Sequence, residues 1–187
     1  MRLFVALEIP AAVRDNLATL IEHFHRADPK PRWARPENLH VTLKFIGETA
    51  PEKLDAIRIA LSGVRSGEPV ELNFRGLGFF PNEKHPRVLW ASMEASANVK
   101  SLAADIDGEL EILGFAREQR AFTPHLTIAR FNAPRLAEKL RSAIQQNITR
   151  EFGSLRTSEF HLMQSKLKPS GAEYTRLASF HFAGAEA

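Results

Sequence analysis

Apolar positions along this chain follow two rhythms, one of period two and one of three to four, and the switches between them mark out the elements. Arg2 to Ile9 is an apolar run with strand character, ended by Pro10, which also suits a helix start. From Ala11 to Phe24, the residues Val13, Leu17, Leu20, Ile21 and Phe24 form a helical stripe. Ala27 to Pro36 holds three prolines and reads as a loop; Trp33 within it either caps the core or stacks on a base. Asn38 to Ile46 alternates as a strand, stopped by Gly47-Glu48. A helix follows over Pro51 to Leu61, a strand over Pro69 to Phe80, a loop over Pro81 to Pro86, and a strand over Arg87 to Met93. Asn98 to Leu113 is helical, with Gly114 as its stop. Phe122 to Phe131 reads as a strand and Pro134 to Ile148 as a helix. Ser154 to Lys166 and Glu173 to Phe182 read as the last two strands, joined by Pro169-Ser170-Gly171, and residues 183–187 as a fraying tail.

The order is β-α-β-α-β, repeated once with one extra strand. The repeat has a constant offset of 85: Arg2 answers Arg87, Ala6 answers Ala91, Leu17 answers Leu102, Ile21 answers Ile106 and His40 answers His125. A shared offset across several elements indicates internal duplication, and duplicated units pack about a pseudo-twofold axis. Two lobes fused into one globule are expected, with a central cleft between them.

At 187 residues and 44% hydrophobic, the chain suits one domain with a real core. It has no cysteine, which excludes disulfides, thiolate metal sites and a cysteine nucleophile and fits a reducing cytoplasm. The opening residues turn polar too soon for a signal peptide, and no apolar run reaches membrane-spanning length, so no membrane association is expected. The net charge of +3 tolerates a polyanionic partner without requiring one.

Two stretches carry the chemistry: Leu39-His40-Val41-Thr42-Leu43 and Pro124-His125-Leu126-Thr127-Ile128. On a strand, His40 and Thr42 share one face while Val41 and Leu43 face the core, and the second copy does the same. Seven His and eight Thr in this length give roughly 0.3 accidental His-x-Thr matches, so two copies at equivalent repeat positions are not chance. A metal site has little support, because His and Thr two apart are no usual ligand set and no carboxylate shares these faces. His23-Phe24-His25 ends a helix, where residues two apart diverge. There is no Gly-x-Ser-x-Gly elbow and no Walker loop, and Gly76-x-Gly78 leads into Phe-Phe-Pro rather than a helix. Two imidazoles remain, one able to take a proton from water and the other to give one to a leaving oxygen. Two hydroxyls beside them can hold the non-bridging oxygens of a phosphate. No metal or cofactor is required. Lys44 shares the His40 face by alternation, where it lines the cleft or is solvated.

The chain resembles the 2H phosphoesterase superfamily, named for its two His-x-Thr-x motifs. More narrowly it is similar to the RNA 2′,3′-cyclic phosphodiesterases, also called the 2′-5′ RNA ligase family. The matching text spans almost the whole chain: Arg2 to Leu7, Asn38 to Glu48, Pro86 to Trp90, Phe122 to Arg130, Ser165 to Leu167 and Gly171 to Tyr174. The resemblance implies an α+β, bilobal fold of two antiparallel sheets with flanking helices. It implies hydrolysis of RNA 2′,3′-cyclic phosphate ends to 2′-phosphomonoesters, with tRNA fragments among the expected substrates and a cytoplasmic monomer as the working unit. By that analogy His40 donates the proton to the leaving 3′ oxygen and His125 activates water, while Thr42 and Thr127 bind the phosphate. Arg130 stands where relatives place a phosphate contact, although strict alternation turns it away from His125, so a bulge or a strand end is needed there. Tyr174 and Phe80 are placed to flank the nucleotide, with core packing the alternative for Phe80.

Three other readings stay open. A 5′-hydroxyl in place of water would make the same site a 2′-5′ RNA ligase. A relative acting on small cyclic nucleotides would use the same groups. A non-catalytic module recognising cyclic-phosphate ends would not need both histidines, and binding alone would favour Arg or Lys.

Overall fold

A break between two strands at residue 158 decides how the chain is laid out. In the computed structural model, which describes residues 1–133, 135–169 and 171–182, the expected strand Ser154 to Lys166 is two strands in different sheets. The Thr157 hydroxyl accepts from the Glu159 amide at 3.1 Å, a local side-chain turn that lets the chain leave one sheet and enter the other.

The described residues form β1 (Arg2–Glu8), α1 (Ala11–Ala27), β2 (Arg32–Trp33), β3 (His40–Glu48), α2 (Leu54–Gly63), β4 (Val70–Phe80) and β5 (Val88–Ala95). They continue with α3 (Ala97–Ile112), β6 (Leu126–Arg130), α4 (Glu138–Gln146), β7 (Glu151–Thr157), β8 (Glu159–Lys168) and β9 (Gly171–His181). Several boundaries differ from expectation. The Ala27 to Pro36 loop contains the short strand β2. Gly47-Glu48 continues β3 rather than stopping it, with Gly47 at φ 85° still paired to Leu3. Pro51–Lys53 forms a 3-10 turn ahead of α2. The second motif strand is shorter than expected, and His125 lies just before it. The expected helix from Pro134 narrows to α4; Pro134, Ser170 and the tail 183–187 lie outside the described residues.

All pairings are antiparallel, in the orders β3-β1-β8-β9 and β2-β6-β5-β4-β7. Read outward from either motif strand, the order is the same: motif strand, opening strand, then a strand contributed by the other half of the chain. β4 crosses to the second motif's sheet, and β8 crosses to the first. The helices cover these sheets with apolar stripes, that of α1 being the one expected from the sequence. Val13, Leu17, Leu20, Ile21 and Phe24 of α1 and Leu102, Ile106 and Leu110 of α3 are buried. Each such side chain contributes about 1.5–3 kcal/mol relative to exposure.

Candidate active site

Each motif strand carries a β-bulge at the residue after its threonine. Ala6 pairs with Thr42 and Val5 with Lys44, which leaves Leu43 unpaired. Trp90 pairs with Thr127 and Leu89 with Ala129, which leaves Ile128 unpaired. Leu43 and Ile128 are again 85 positions apart. A bulge puts two consecutive residues on one side and reverses the alternation beyond it. Leu43 and Lys44 are accordingly both buried, as are Ile128 and Ala129, and the next residues, Phe45 and Arg130, are exposed.

This local device settles two side chains. Arg130 pairs with Val88 and Thr127 with Trp90; Val88 and Trp90 are two apart on β5, so Arg130 lies on the Thr127 face. Lys44 is a correction to both sequence readings. It neither lines the cleft nor reaches solvent, because the bulge turns it inward, 5% exposed. Its Nζ sits 2.5 Å from the Asp107 carboxylate and donates to the Ala116 carbonyl at 2.6 Å.

The histidines are held alike. His40 Nδ1–H donates to the Asn38 carbonyl at 2.6 Å, and His125 Nδ1–H donates to the Thr123 carbonyl at 2.9 Å. A carbonyl only accepts, so each ring keeps its proton on Nδ1 and leaves Nε2 for chemistry. Neutral, Nε2 can take a proton; protonated, it can give one. β3 and β6 come close enough that Cα atoms of the two strands lie within 8 Å, and His125 is near enough to act electrostatically on His40.

Their surroundings differ. His40 is half-buried, 4.8 Å from the Phe4 ring and 5.1 Å from Tyr174, which meets it edge-on. Burial holds its pKa below the ordinary value of 6.5; the Asn38 carbonyl works against this and the nearby His125 adds to it. His125 is exposed, with Trp90 edge-on at 6.2 Å. Gly78 makes room for that indole, since a Cβ there would lie 2.5 Å from Trp90 Cζ2.

A cavity of about 180 Å³ opens beside His40, lined by Glu8, Arg14, Asn38, Tyr174 and Arg176 among others. Of these, only Tyr174 is a residue that the sequence brings to notice. Glu8 and Arg176 form an ion pair between β1 and β9, which lie far apart in the chain, so no local pattern could announce it. His161 is a third histidine on this sheet, buried and bonded to the Ser179 hydroxyl at 2.9 Å, with its pKa lowered chiefly by burial and then by Arg176. Phe80 is 55% exposed, so it does not pack into the core. Trp33 packs on Phe24 and donates its Nε1–H to the Asp28 carbonyl, as a residue capping the core would. His23 and His25 are exposed. Among the described residues, no three His, Asp or Glu side chains gather as a metal would require, and no helix is long and apolar enough to cross a membrane.

A sequence model of the 2′-5′ RNA ligase superfamily matches residues 13–168. The chain belongs to this superfamily. An RNA 2′,3′-cyclic phosphodiesterase of Methanothermobacter thermautotrophicus is 36% identical over 96% of this chain and 98% of its own length. One of the same name from Archaeoglobus fulgidus is 33% identical over 96% and 99%. Among solved superfamily folds, TT0787 of Thermus thermophilus superposes with a TM-score of 0.78 at 32% identity over the full length of both chains. E. coli LigT in complex with 3′-AMP superposes at 0.76, with 25% identity over 98% of each. The α+β fold of two antiparallel sheets is therefore the fold of the superfamily.

Proposed function

We propose that this chain hydrolyses RNA ends bearing a 2′,3′-cyclic phosphate to 2′-phosphomonoesters, with His40 and His125 as its acid and base and without a metal. The observation that carries this reading is the matched pair of imidazoles, each with Nδ1 engaged by the carbonyl two residues earlier and Nε2 left open. Relatives that bear the name of this activity span nearly the whole chain. In the reaction, His125 Nε2 takes a proton from water as the water oxygen attacks phosphorus. The P–O3′ bond breaks, and His40 Nε2–H gives its proton to O3′. Thr42, Thr127 and Arg130 hold the non-bridging oxygens as charge builds on them.

Burial keeps His40 largely neutral in the free protein at neutral pH. An arriving phosphate anion favours the imidazolium, so the donor proton is taken up with the substrate. O3′ remains on the ribose, which puts the terminal nucleoside on the His40 side, where the cavity and Tyr174 are. The reading includes one domain of two pseudo-symmetric lobes, each with one motif, acting as a cytoplasmic monomer.

The test is turnover of a short RNA with a 2′,3′-cyclic phosphate end, in chelator, by the wild type, His40→Ala and His125→Ala, with the product phosphate mapped. A 2′-phosphate formed by the wild type and lost in both variants supports the reading. No turnover overturns it, and turnover abolished by chelator overturns its metal-free part. A 5′-hydroxyl RNA added to the same reaction reports any ligation.

A further inference from the structure

The edge of the sheet that carries the second motif holds an arginine, Arg32, that hydrolysis of the terminal phosphate alone does not account for, and it stands beside Arg130. β2 is two residues long, and its register sets Arg32 directly opposite Arg130 and Trp33 opposite Ala129. Trp33 decides which way this short strand faces. Its indole packs against Phe24 of α1 with ring centroids 6.1 Å apart, and its Nε1–H donates to the Asp28 carbonyl at 3.0 Å. The next amide, of Ala34, donates to the Ile128 carbonyl at 2.8 Å and holds the strand down. Alternation then turns Arg32 to the other face, that of Arg130, Thr127 and Trp90.

Both arginines are exposed, and among the described residues neither side chain has a hydrogen-bond or ion-pair partner. Like charges directly opposite on a sheet, with Cβ atoms about 4.5–5.5 Å apart, are destabilising. At three other strand arginines the chain supplies a carboxylate across the sheet: Glu71 for Arg156, Glu8 for Arg176 and Glu151 for Arg75. Arg32 and Arg130 are given none, and they stand beside a threonine placed for a phosphate.

We propose that Arg32 and Arg130 form a phosphate subsite for the RNA chain, in which Arg32 binds the phosphodiester next to the reacting cyclic phosphate. This rests on the function proposed above and adds to it that the substrate is a chain rather than a mononucleotide. Arg130 lies on the Thr127 face, and Arg32 is one strand further out, a spacing of about 4.8 Å. Two long side chains reaching from there span neighbouring phosphates, and a guanidinium fork suits each.

The test compares the wild type, Arg32→Ala and Arg32→Lys on two substrates over a range of salt. One is a nucleoside 2′,3′-cyclic monophosphate, which has no second phosphate; the other is a short oligonucleotide with the same end. Arg32→Ala should raise KM for the oligonucleotide about tenfold with kcat unchanged, and should lower the salt slope by about one. Arg32→Lys should recover part of the loss, and mononucleotide kinetics should not move, which also reports an intact fold. Equal losses on both substrates, or no loss on the oligonucleotide, would overturn the proposal. If the wild type turns over neither substrate, the reading of function has failed separately. Binding of a labelled oligonucleotide with a 3′-phosphate then judges the subsite: tenfold weaker binding by Arg32→Ala supports it, and equal affinity overturns it.

Discussion

The two His-x-Thr copies are alike in backbone and unlike in surroundings. Both lock Nδ1 on the carbonyl two residues earlier, and both bulge at the residue after the threonine. Around that shared frame, His40 sits half-buried against Phe4 and Tyr174, which also touch each other, whereas His125 is exposed beside Trp90. The residue turned inward by the bulge is charged Lys44 in the first copy and Ala129 in the second. The residue turned outward is Phe45, 58% exposed, in the first and Arg130 in the second. A duplicated device can thus hold two equivalent imidazoles while the residues around it make them chemically different. In the proposed reaction the roles follow from position, with His125 on the side of the attacking water and His40 on the side of the leaving O3′.

The strongest way to break the comparison is to remove either ring. His40→Ala and His125→Ala should each lower kcat/KM by about 10³-fold, and the double variant should be little worse than either single one, since the pair acts as a unit. Steady-state turnover of the cyclic-phosphate RNA measures this; a His→Ala variant that keeps near-normal rates would remove that histidine from the chemistry. Next is the charge that only the first copy carries. Lys44→Ala leaves Asp107 buried without its main partner and should cost about 3 kcal/mol in denaturant unfolding. Arg117→Ala removes a more exposed partner of the same carboxylate and should cost less than about 1 kcal/mol. Similar costs for the two would mean that the buried pair is not what holds β3 to α3.

The threonines sharpen the symmetry. Thr42→Ala and Thr127→Ala should each lower kcat/KM by about 10–100-fold, less than either histidine, because each removes one hydrogen bond from an uncharged donor to the phosphate. A much larger loss in one copy would show that the phosphate is held mainly by one sheet. The smallest effect is on titration. His40 is depressed by burial in the folded state, so the unfolded chain binds more protons below pH 6.5. Stability should therefore fall as pH drops from 6.5 through the lowered folded pKa, and His40→Gln should reduce that acid-side loss. Tyr174→Ala, which wets the ring, should raise the His40 pKa towards 6.5, read by NMR of its imidazole protons. No movement would mean that Tyr174 is not part of what desolvates it.

Much of this was legible in the sequence because it is local. Helical stripes and the two His-x-Thr copies are patterns within short windows, the 85-residue offset needs only a comparison of such windows, and the demand for a bulge or strand end near Arg130 came from alternation set against the phosphate contact that the family resemblance implies there. Lys44 was misjudged by the same rule. Strict alternation takes no account of a bulge one residue earlier, although the matching bulge in the second copy is what Arg130 required. The split of Ser154 to Lys166 was missed because both halves carry strand character, and the turn at Ser158 is made by a hydroxyl rather than by Gly or Pro.

The sequence by itself determined most of the elements, the constant offset between the two motifs and the identity of the four groups that the proposed reaction uses, because each depends on residue type and spacing over a few positions. Tertiary structure alone decided which strands are neighbours. Only the crossing of β4 and β8 between sheets, the return of β9 to bring Tyr174 beside His40 and the docking of β2 against β6 put distant residues on one face. Those pairings are set by which buried surfaces and backbone hydrogen bonds can be satisfied together across the whole chain, and no short window of sequence contains that sum.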